Sequence, residues 1–172
     1  MNDIIDRATA VLSTTPARWT SIAQGLPLEL LNGKPASREW SAMECLQHLV
    51  DVEPVFLTRL QSFLAGRDFP AHDPDTQGTI LPEDQSPIEL VEEFSRLREA
   101  SLAALGKITP GDLGQRVRHA ELGPVTLDEM LHEWAGHDLM HTVQAERALM
   151  QPFIRGCGPW LKYFKDHFRS PL

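Results

Sequence analysis

The sequence is poor in cysteine, in basic residues and in long apolar runs, and each shortage excludes a class of protein. Its two cysteines, Cys45 and Cys157, are too few and too far apart for a zinc ribbon or a disulfide framework. The 16 lysines and arginines stand against 24 aspartates and glutamates, and a net charge of −8 argues against broad binding to nucleic acid or anionic membranes. No apolar run approaches the roughly 20 residues that span a bilayer.

The first residues and the length indicate a cytoplasmic protein with one domain. The segment MNDIIDRA is acidic and polar where a secretory signal peptide would be basic and then apolar. With 172 residues, the chain is long enough for one domain with a sizeable core and short for two. Because it has no internal repeat, low-complexity tract or long linker, we expect a single domain over residues 1–172.

What the sequence does contain is four helical stretches, which together predict an all-α fold. Apolar residues at helical spacing predict a first helix over residues 3–24. Pro16 should kink or restart that helix, because proline has no N–H to donate. Three further helices begin with a capping box, a serine or threonine followed three residues later by glutamate, at Ser41, Ser86 and Thr126. These helices should end near Gly66, Gly106 and Met150.

The connections between the helices indicate how the bundle is assembled. Residues 68–85, between the second and third helices, are rich in proline and aspartate and too long for a tight hairpin. They predict a long crossover. Residues 116–125 alternate in polarity and predict a short extended arm before the fourth helix, and a short helix is expected over residues 160–168.

Three of the seven histidines are candidate metal ligands. His137 and His141 lie four residues apart in the fourth helix, so both imidazoles leave the same, apolar helix face. Unpaired polar groups on a buried face cost about 1–3 kcal/mol each, and a shared metal would satisfy both rings. His48, at the edge of the apolar arc of the second helix, could supply a third nitrogen. Three neutral imidazoles with an open fourth position are typical of a catalytic divalent metal site.

Other polar residues suggest weaker hypotheses. His132 precedes His137 by five residues, so the segment is not the HExxH of zinc proteases. Asp138 lies on the inward arc and either pairs with a basic residue of another helix or serves the metal site, as an acceptor for a ligand imidazole or a proton carrier. Cys45 is expected to pack as a small hydrophobe, although a thiolate role is conceivable. The remaining loop and tail histidines are expected at the surface: His72, His119 and His167.

Two motifs resemble those of the DinB-like, or YfiT-like, family of metal-dependent bundles. The first is Trp40-Ser41 followed by Glu44 and His48-Leu49, and the second is Gly123-x-x-Thr126-Leu127 leading to His137-Asp138-x-x-His141. The resemblance implies a four-helix bundle with the long crossover between helices two and three. It also implies a metal triad on the three histidines named above, holding a divalent ion such as zinc or nickel, and a homodimer of paired bundles. Characterised members include thiol-dependent transferases and isomerases that use bacillithiol or mycothiol.

These observations leave three functions open. The first is a metal-dependent enzyme acting on a small molecule, either a hydrolase or a transferase using a low-molecular-weight thiol. Its substrate would lie in an apolar pocket lined by Trp134 and Met130. The second is a non-catalytic bundle that binds a metal or ligand or serves as a dimerisation module, and the third is a metal-free bundle whose histidines only form hydrogen bonds. Hydrolysis and thiol transfer differ mainly in the nucleophile, which the sequence does not identify.

Overall fold

Four long helices carry the fold in the computed structural model, which describes residues 4–69 and 79–169. The helices are α1 (Ile4–Gly25), α2 (Leu28–Asn32), α3 (Ala42–Ala65), α4 (Pro87–Leu105) and α5 (Leu127–Gly156), of which α2 is a single short turn. Helices α1 and α3 each pack against both α4 and α5, so α1 and α3 lie on one diagonal of the bundle. The predicted all-α four-helix bundle is therefore confirmed. Across the described residues, no helix combines the length and hydropathy of a membrane span.

The predicted helix starts are confirmed because side chains cap the backbone there. Ser41 and Thr126 each form a complete capping box with the glutamate three residues on. Ser86 accepts a hydrogen bond from the backbone N–H of Glu89, without the reciprocal bond. Each cap satisfies amide groups that the first helical turn leaves without a partner. A long connection joins α3 to α4, and its residues 70–78 lie outside the described part of the chain.

Helix α5 is longer than predicted. It ends at Gly156, beyond the expected end near Met150, and contains Pro152. Proline removes one backbone hydrogen bond from a helix interior. Its neighbours Gln151 and Ile154 are both buried, so their packing holds the last turns in place.

Helix α1 runs through Pro16 without the restart that the sequence suggested. Proline cannot donate a hydrogen bond to the carbonyl of Leu12, four residues earlier. The guanidinium of Arg98 on α4 donates to that carbonyl instead, at 3.0 Å. The acceptor that Pro16 leaves free is thus used to join α1 to α4.

A short hairpin precedes α5, as the alternating segment predicted. Its strands are β1 (Arg116–His119) and β2 (Gly123–Thr126), paired antiparallel with Arg116 opposite Thr126. After α5 the chain forms a 3₁₀ helix over Gly158–Tyr163 near the predicted position of the last short helix.

The core consists of two apolar clusters with a polar layer between them. On every long helix, buried polar residues lie in sequence between the residues of one cluster and those of the other. The large side chains of the clusters include Trp19, Met43 and Phe94 in the first, and Phe56, Phe63 and Trp134 in the second. The buried layer between them includes Thr15, Glu53, Arg98, Asp138, His141 and Thr142.

Candidate metal centre

The polar layer brings His48 of α3 beside His137 and His141 of α5. One ring nitrogen of each histidine lies within 4.8 Å of those of the other two. Nε2 of His48 and Nε2 of His137 are 3.2 Å apart. Zinc–nitrogen bonds of about 2.0–2.1 Å place two ligands of a tetrahedral ion roughly 3.3 Å apart, so this pair has the required spacing. The three residues predicted from sequence are together, and their ligation of a metal stays a prediction.

Two polar side chains orient the rings of His48 and His141. The Gln144 side-chain oxygen lies 2.9 Å from Nδ1 of His141, and a carbonyl oxygen only accepts, so this Nδ1 carries the hydrogen. The Nε2 lone pair of His141 is then free to bind a cation. Nδ1 of His48 lies 3.0 Å from the hydroxyl of Thr79, which fixes that ring with its Nε2 toward His137. Hydrogen bonds of this kind set the tautomer and orientation of metal-binding histidines.

His137 is held in its neutral form. Burial lowers its pKa to about 3, with further contributions from His141, His48 and more distant arginines. Its Nδ1 is buried and has no hydrogen-bond partner among the described residues. Burial also lowers the pKa of His141, against opposing effects of Gln144 and Asp138. Neutral imidazole is the form that ligates metals.

The facing nitrogens of His48 and His137 require something between them. Two bare lone pairs at 3.2 Å would repel each other, so one ring must present a hydrogen or both must meet a cation. In the metal-free protein a shared proton makes this contact a hydrogen bond. A divalent ion would displace that proton and receive both lone pairs, which is why ligation by histidine competes with protonation.

Aromatic rings enclose the three histidines. The Trp40 ring stacks on that of His141, with centroids 5.8 Å apart and an interplanar angle of 23°, and lies 4.9 Å from His48. On the other side, the edge of Phe56 contacts His137 at 5.4 Å. These walls limit the access of water to the nitrogens and help to keep the rings in place.

Next to the histidines lies a buried ion cluster centred on Arg98. Its Nε and Nη2 donate to the carboxylate of Glu53 at 2.7 and 2.8 Å, and its Nη1 and Nη2 donate to that of Asp138 at 2.6 and 2.9 Å. With the bond to Leu12, all five N–H groups of the guanidinium are used. Burial opposes the charge, but these carboxylates raise the pKa of Arg98 above its ordinary value.

The cluster shows which of the two roles considered for Asp138 has a structural basis. Its two carboxylate oxygens bind Arg98, the basic residue on another helix, and the role beside the metal stays a prediction. Sequence reasoning missed Arg98 and Glu53. The available signal was phase, because Arg98 follows the buried Phe94 by one helical turn and so falls on an apolar arc.

The remaining candidates have other roles. Cys45 is fully buried, and burial together with Glu44 raises the pKa of its thiol to about 12, which fits the packing role and not a thiolate. His132 is exposed and pairs with Asp128 in its own turn of α5. Trp134 is fully buried and stacks on Phe56 at 5.0 Å, so the prediction that it lines a pocket is wrong.

The loop and tail histidines are half-buried where the structure describes them. His119 lies at the wall of a surface pocket, 3.3 Å from the guanidinium of Arg59. His167 is half-buried as well, while His72 lies outside the described residues. Of the two residues expected to line a substrate pocket, Met130 does so.

Two pockets flank the histidines. The Trp40 pocket, about 470 Å³, is lined by Trp40 and Gln144 and opens between α5 and the segment before α3. The Arg59 pocket, about 510 Å³, lies between α3, the hairpin and α5 and includes Arg59, Met130 and Glu133. None of the three histidines lines either pocket. Trp40 and Gln144 of the Trp40 pocket contact histidine rings directly, and Arg59 of the other pocket is connected to His137 through Phe56.

The sequence matches one family over most of its length. Residues 12–145 match the DinB superfamily. The chain belongs to this superfamily, which confirms the resemblance seen in its motifs. No curated protein matches the sequence.

Two solved structures from Bacillus subtilis have the same fold. One is YfiT, described as a probable metal-dependent hydrolase with an unusual four-helix bundle topology, at 16% identity, with a TM-score of 0.73 over 84% of this chain and 85% of YfiT. The other is the DinB-like protein YjoA, at 16% identity, with a TM-score of 0.55 over 83% of this chain and 90% of YjoA. At this identity the likeness shows the fold and no more.

Proposed function

We propose that this member of the DinB superfamily is a metal-dependent hydrolase acting on small molecules, with its ion held by His48, His137 and His141. The observation that carries the proposal is the convergence of three imidazoles from two helices. Neutral ligands leave a divalent ion its full charge, and three of them leave a position for a nucleophile or substrate. The description of YfiT as a probable metal-dependent hydrolase supports this reaction class.

The protein's part in the reaction is to fix and shield the ligands. A bound zinc or nickel ion would supply Lewis acidity, which polarises an electrophile and stabilises a deprotonated nucleophile. Gln144 holds the His141 ring with its Nε2 lone pair available, and Thr79 holds the His48 ring with its Nε2 toward His137. Trp40 and Phe56 keep water from the sides of the cluster, where a lower dielectric strengthens each electrostatic contact.

A low-molecular-weight thiol is the other nucleophile that suits such a site. The buried Cys45 cannot act in its place, because its thiol stays protonated at neutral pH. Any thiol in the reaction would therefore come from a second substrate. A hydrolase and a thiol-dependent transferase therefore differ in whether turnover requires an added thiol.

The metal assignment is tested by elemental analysis of the purified protein and of the His137→Ala/His141→Ala double variant. We expect stoichiometric divalent metal in the wild type, most of it lost in the double variant, and the same helical circular dichroism in both. His132→Ala, an exposed histidine of the same helix, is the matched control and should keep its metal. Stoichiometric metal in the double variant would refute the assignment.

The reaction is tested with the metal-loaded protein on a panel of esters, amides and lactones, with and without an added thiol. Turnover without thiol supports the hydrolase, and turnover that requires thiol identifies a transferase. Stoichiometric metal with no turnover on either arm would favour the non-catalytic bundle.

We also propose that the protein acts in the cytoplasm and as a homodimer. A run of apolar side chains on α5 supports the second point, since Leu139, Met140 and Val143 are 39%, 54% and 47% exposed. Light scattering after size-exclusion chromatography tests it, with Met140→Glu expected to shift a dimer toward monomer.

A further inference from the structure

The Arg59 pocket contains a cation that forms no ion pair within the described part of the chain. Arg59 is half-buried on α3, and its guanidinium lies over the rings of Phe56 and Phe69, at 6.0 and 5.4 Å from their centroids. Among residues 4–69 and 79–169, no carboxylate lies within 4.0 Å of it. Burial lowers the pKa of Arg59, opposed by the more distant Glu133. A partly desolvated cation of this kind is stabilised by an anion.

The neighbour of Arg59 is a second donor. Nδ1 of His119 accepts hydrogen bonds from the backbone N–H groups of Glu121 and Leu122, at 3.2 and 3.3 Å. The neutral ring must then carry its hydrogen on Nε2. That nitrogen faces Nη2 of Arg59 at 3.3 Å, so two N–H donors point into the same space. Neither can satisfy the other, and an acceptor placed between them would satisfy both.

The acidic residues of the pocket leave this donor pair accessible. The carboxylate of Glu129 already accepts from the backbone N–H and hydroxyl of Thr126. Glu121 and Glu133 also line the pocket. Glu133 lies one helical turn before His137 on the same face of α5, so it borders the pocket on the side of the histidines. Glu133 acts electrostatically on Arg59 and Glu121 on His119, but neither carboxylate forms an ion pair with its neighbour, so both donors stay accessible and an anion binds them against the repulsion of these two charges.

We infer that Arg59 and His119 bind an oxyanion of the substrate, a carboxylate or a phosphate, beside the histidine cluster. An oxyanion has several lone pairs and can accept from both donors at once. Phe56 links the two places, since its ring contacts the Arg59 guanidinium on one side and His137 on the other. The inference rests on the proposed function, because it makes the Arg59 pocket the substrate site of the metal-dependent reaction.

The test is an NMR titration of the purified protein with inorganic phosphate and, separately, with acetate, at constant ionic strength. The amide signals of Glu121 and Leu122 should shift and saturate, because those N–H groups bind the ring that meets the anion. Arg59→Gln should weaken binding by about tenfold or more, as expected for a lost hydrogen bond to a charged group. His119→Phe should weaken it less. Arg96→Gln, an exposed arginine of α4, is the matched control and should bind as the wild type does.

Metal content, measured on the same samples, separates this inference from the proposed function. Arg59→Gln should keep the metal of the wild type, and the His137→Ala/His141→Ala variant should still bind the anion. If that double variant keeps its metal but Arg59→Gln loses the anion, only the metal assignment fails. No saturable shift with either anion, or equal weakening by Arg59→Gln and Arg96→Gln, would overturn the inference. Should Arg59→Gln not fold, Arg59→Lys and His119→Phe provide the same comparison, and the tighter of the two anions identifies the substrate class.

Discussion

Two polar clusters share the middle of this bundle and differ in how completely their groups are paired. All five N–H groups of the Arg98 guanidinium donate a hydrogen bond, and the carboxylates of Glu53 and Asp138 each accept two of them. Around His137, the nitrogens of neighbouring rings face each other, and Nδ1 has no hydrogen-bond partner within the described residues. Both clusters involve α3 and α5, so position in the fold does not explain the difference.

The difference separates a structural cluster from a binding site. A buried charge network is tolerated only when its members satisfy one another, as they do around Arg98. Groups that converge without completing their bonds are arranged for something that arrives from outside. This criterion supports the proposal that the histidines are a site for a cation, and it makes the arginine cluster the part that holds the helices carrying them.

The largest expected effect is the loss of stability when Arg98 is replaced. Arg98→Met leaves the carboxylates of Glu53 and Asp138 buried without their counter-ion, which typically costs about 3–5 kcal/mol. The free energy of unfolding, measured with urea, should fall by that amount. Arg96→Met, at an exposed position on the same helix, should change it by less than about 0.5 kcal/mol. A loss at Arg98 as small as that of the control would show that the cluster is not structural.

A smaller effect, on zinc affinity, is expected from replacing Gln144, which orients the His141 ring. Gln144→Leu removes the acceptor that fixes the His141 tautomer, and such outer partners change metal affinity by about 10–100-fold. Zinc affinity should fall within that range, with the urea unfolding of the metal-free protein little changed. Gln47→Leu is the matched control, because Gln47 precedes His48 but bonds to Asp51 instead. Equal zinc affinities for both variants would remove Gln144 from the site.

The smallest expected effect is the change of the free energy of unfolding with pH. The pKa of His137 is about 3 in the folded protein, chiefly through burial, against about 6.5 in an unfolded chain. Between these values the unfolded chain binds a proton that the folded one does not, so stability falls as the pH drops below 6.5. One such group contributes at most about 1.4 kcal/mol per pH unit. Urea unfolding of chelator-treated protein from pH 7 to 5 should show this slope, and His137→Ala should reduce it. Identical slopes in both proteins would contradict a neutral, buried His137.

The parts of the structure that depend on local sequence were predictable. Side chains of Ser41, Ser86 and Thr126 cap helices where the pattern placed them, because a cap involves residues three apart. The approach of the two α5 histidines follows from helical geometry in the same way. The order of the motifs indicated His48 as their neighbour. Its helical phase alone did not, because it placed His48 at the edge of an apolar arc.

The parts that depend on contacts between helices were not predictable. The partner of Asp138 lies 40 residues away on α4, and nothing local to either residue specifies the pair. The same holds for His119, whose contact with Arg59 spans 60 residues. The sequence around Pro16 predicts a kink or restart, because the side chain that binds the carbonyl freed by the proline belongs to another helix.

Arg98 also bears on how the molecule moves. It belongs to α4 and binds a carbonyl of α1, a carboxylate of α3 and a carboxylate of α5. Pulling any one helix away would break bonds in this one side chain, so the four helices should open together, as one cooperative unit in hydrogen exchange. A molecule that reaches the histidines would therefore enter without separating the four helices.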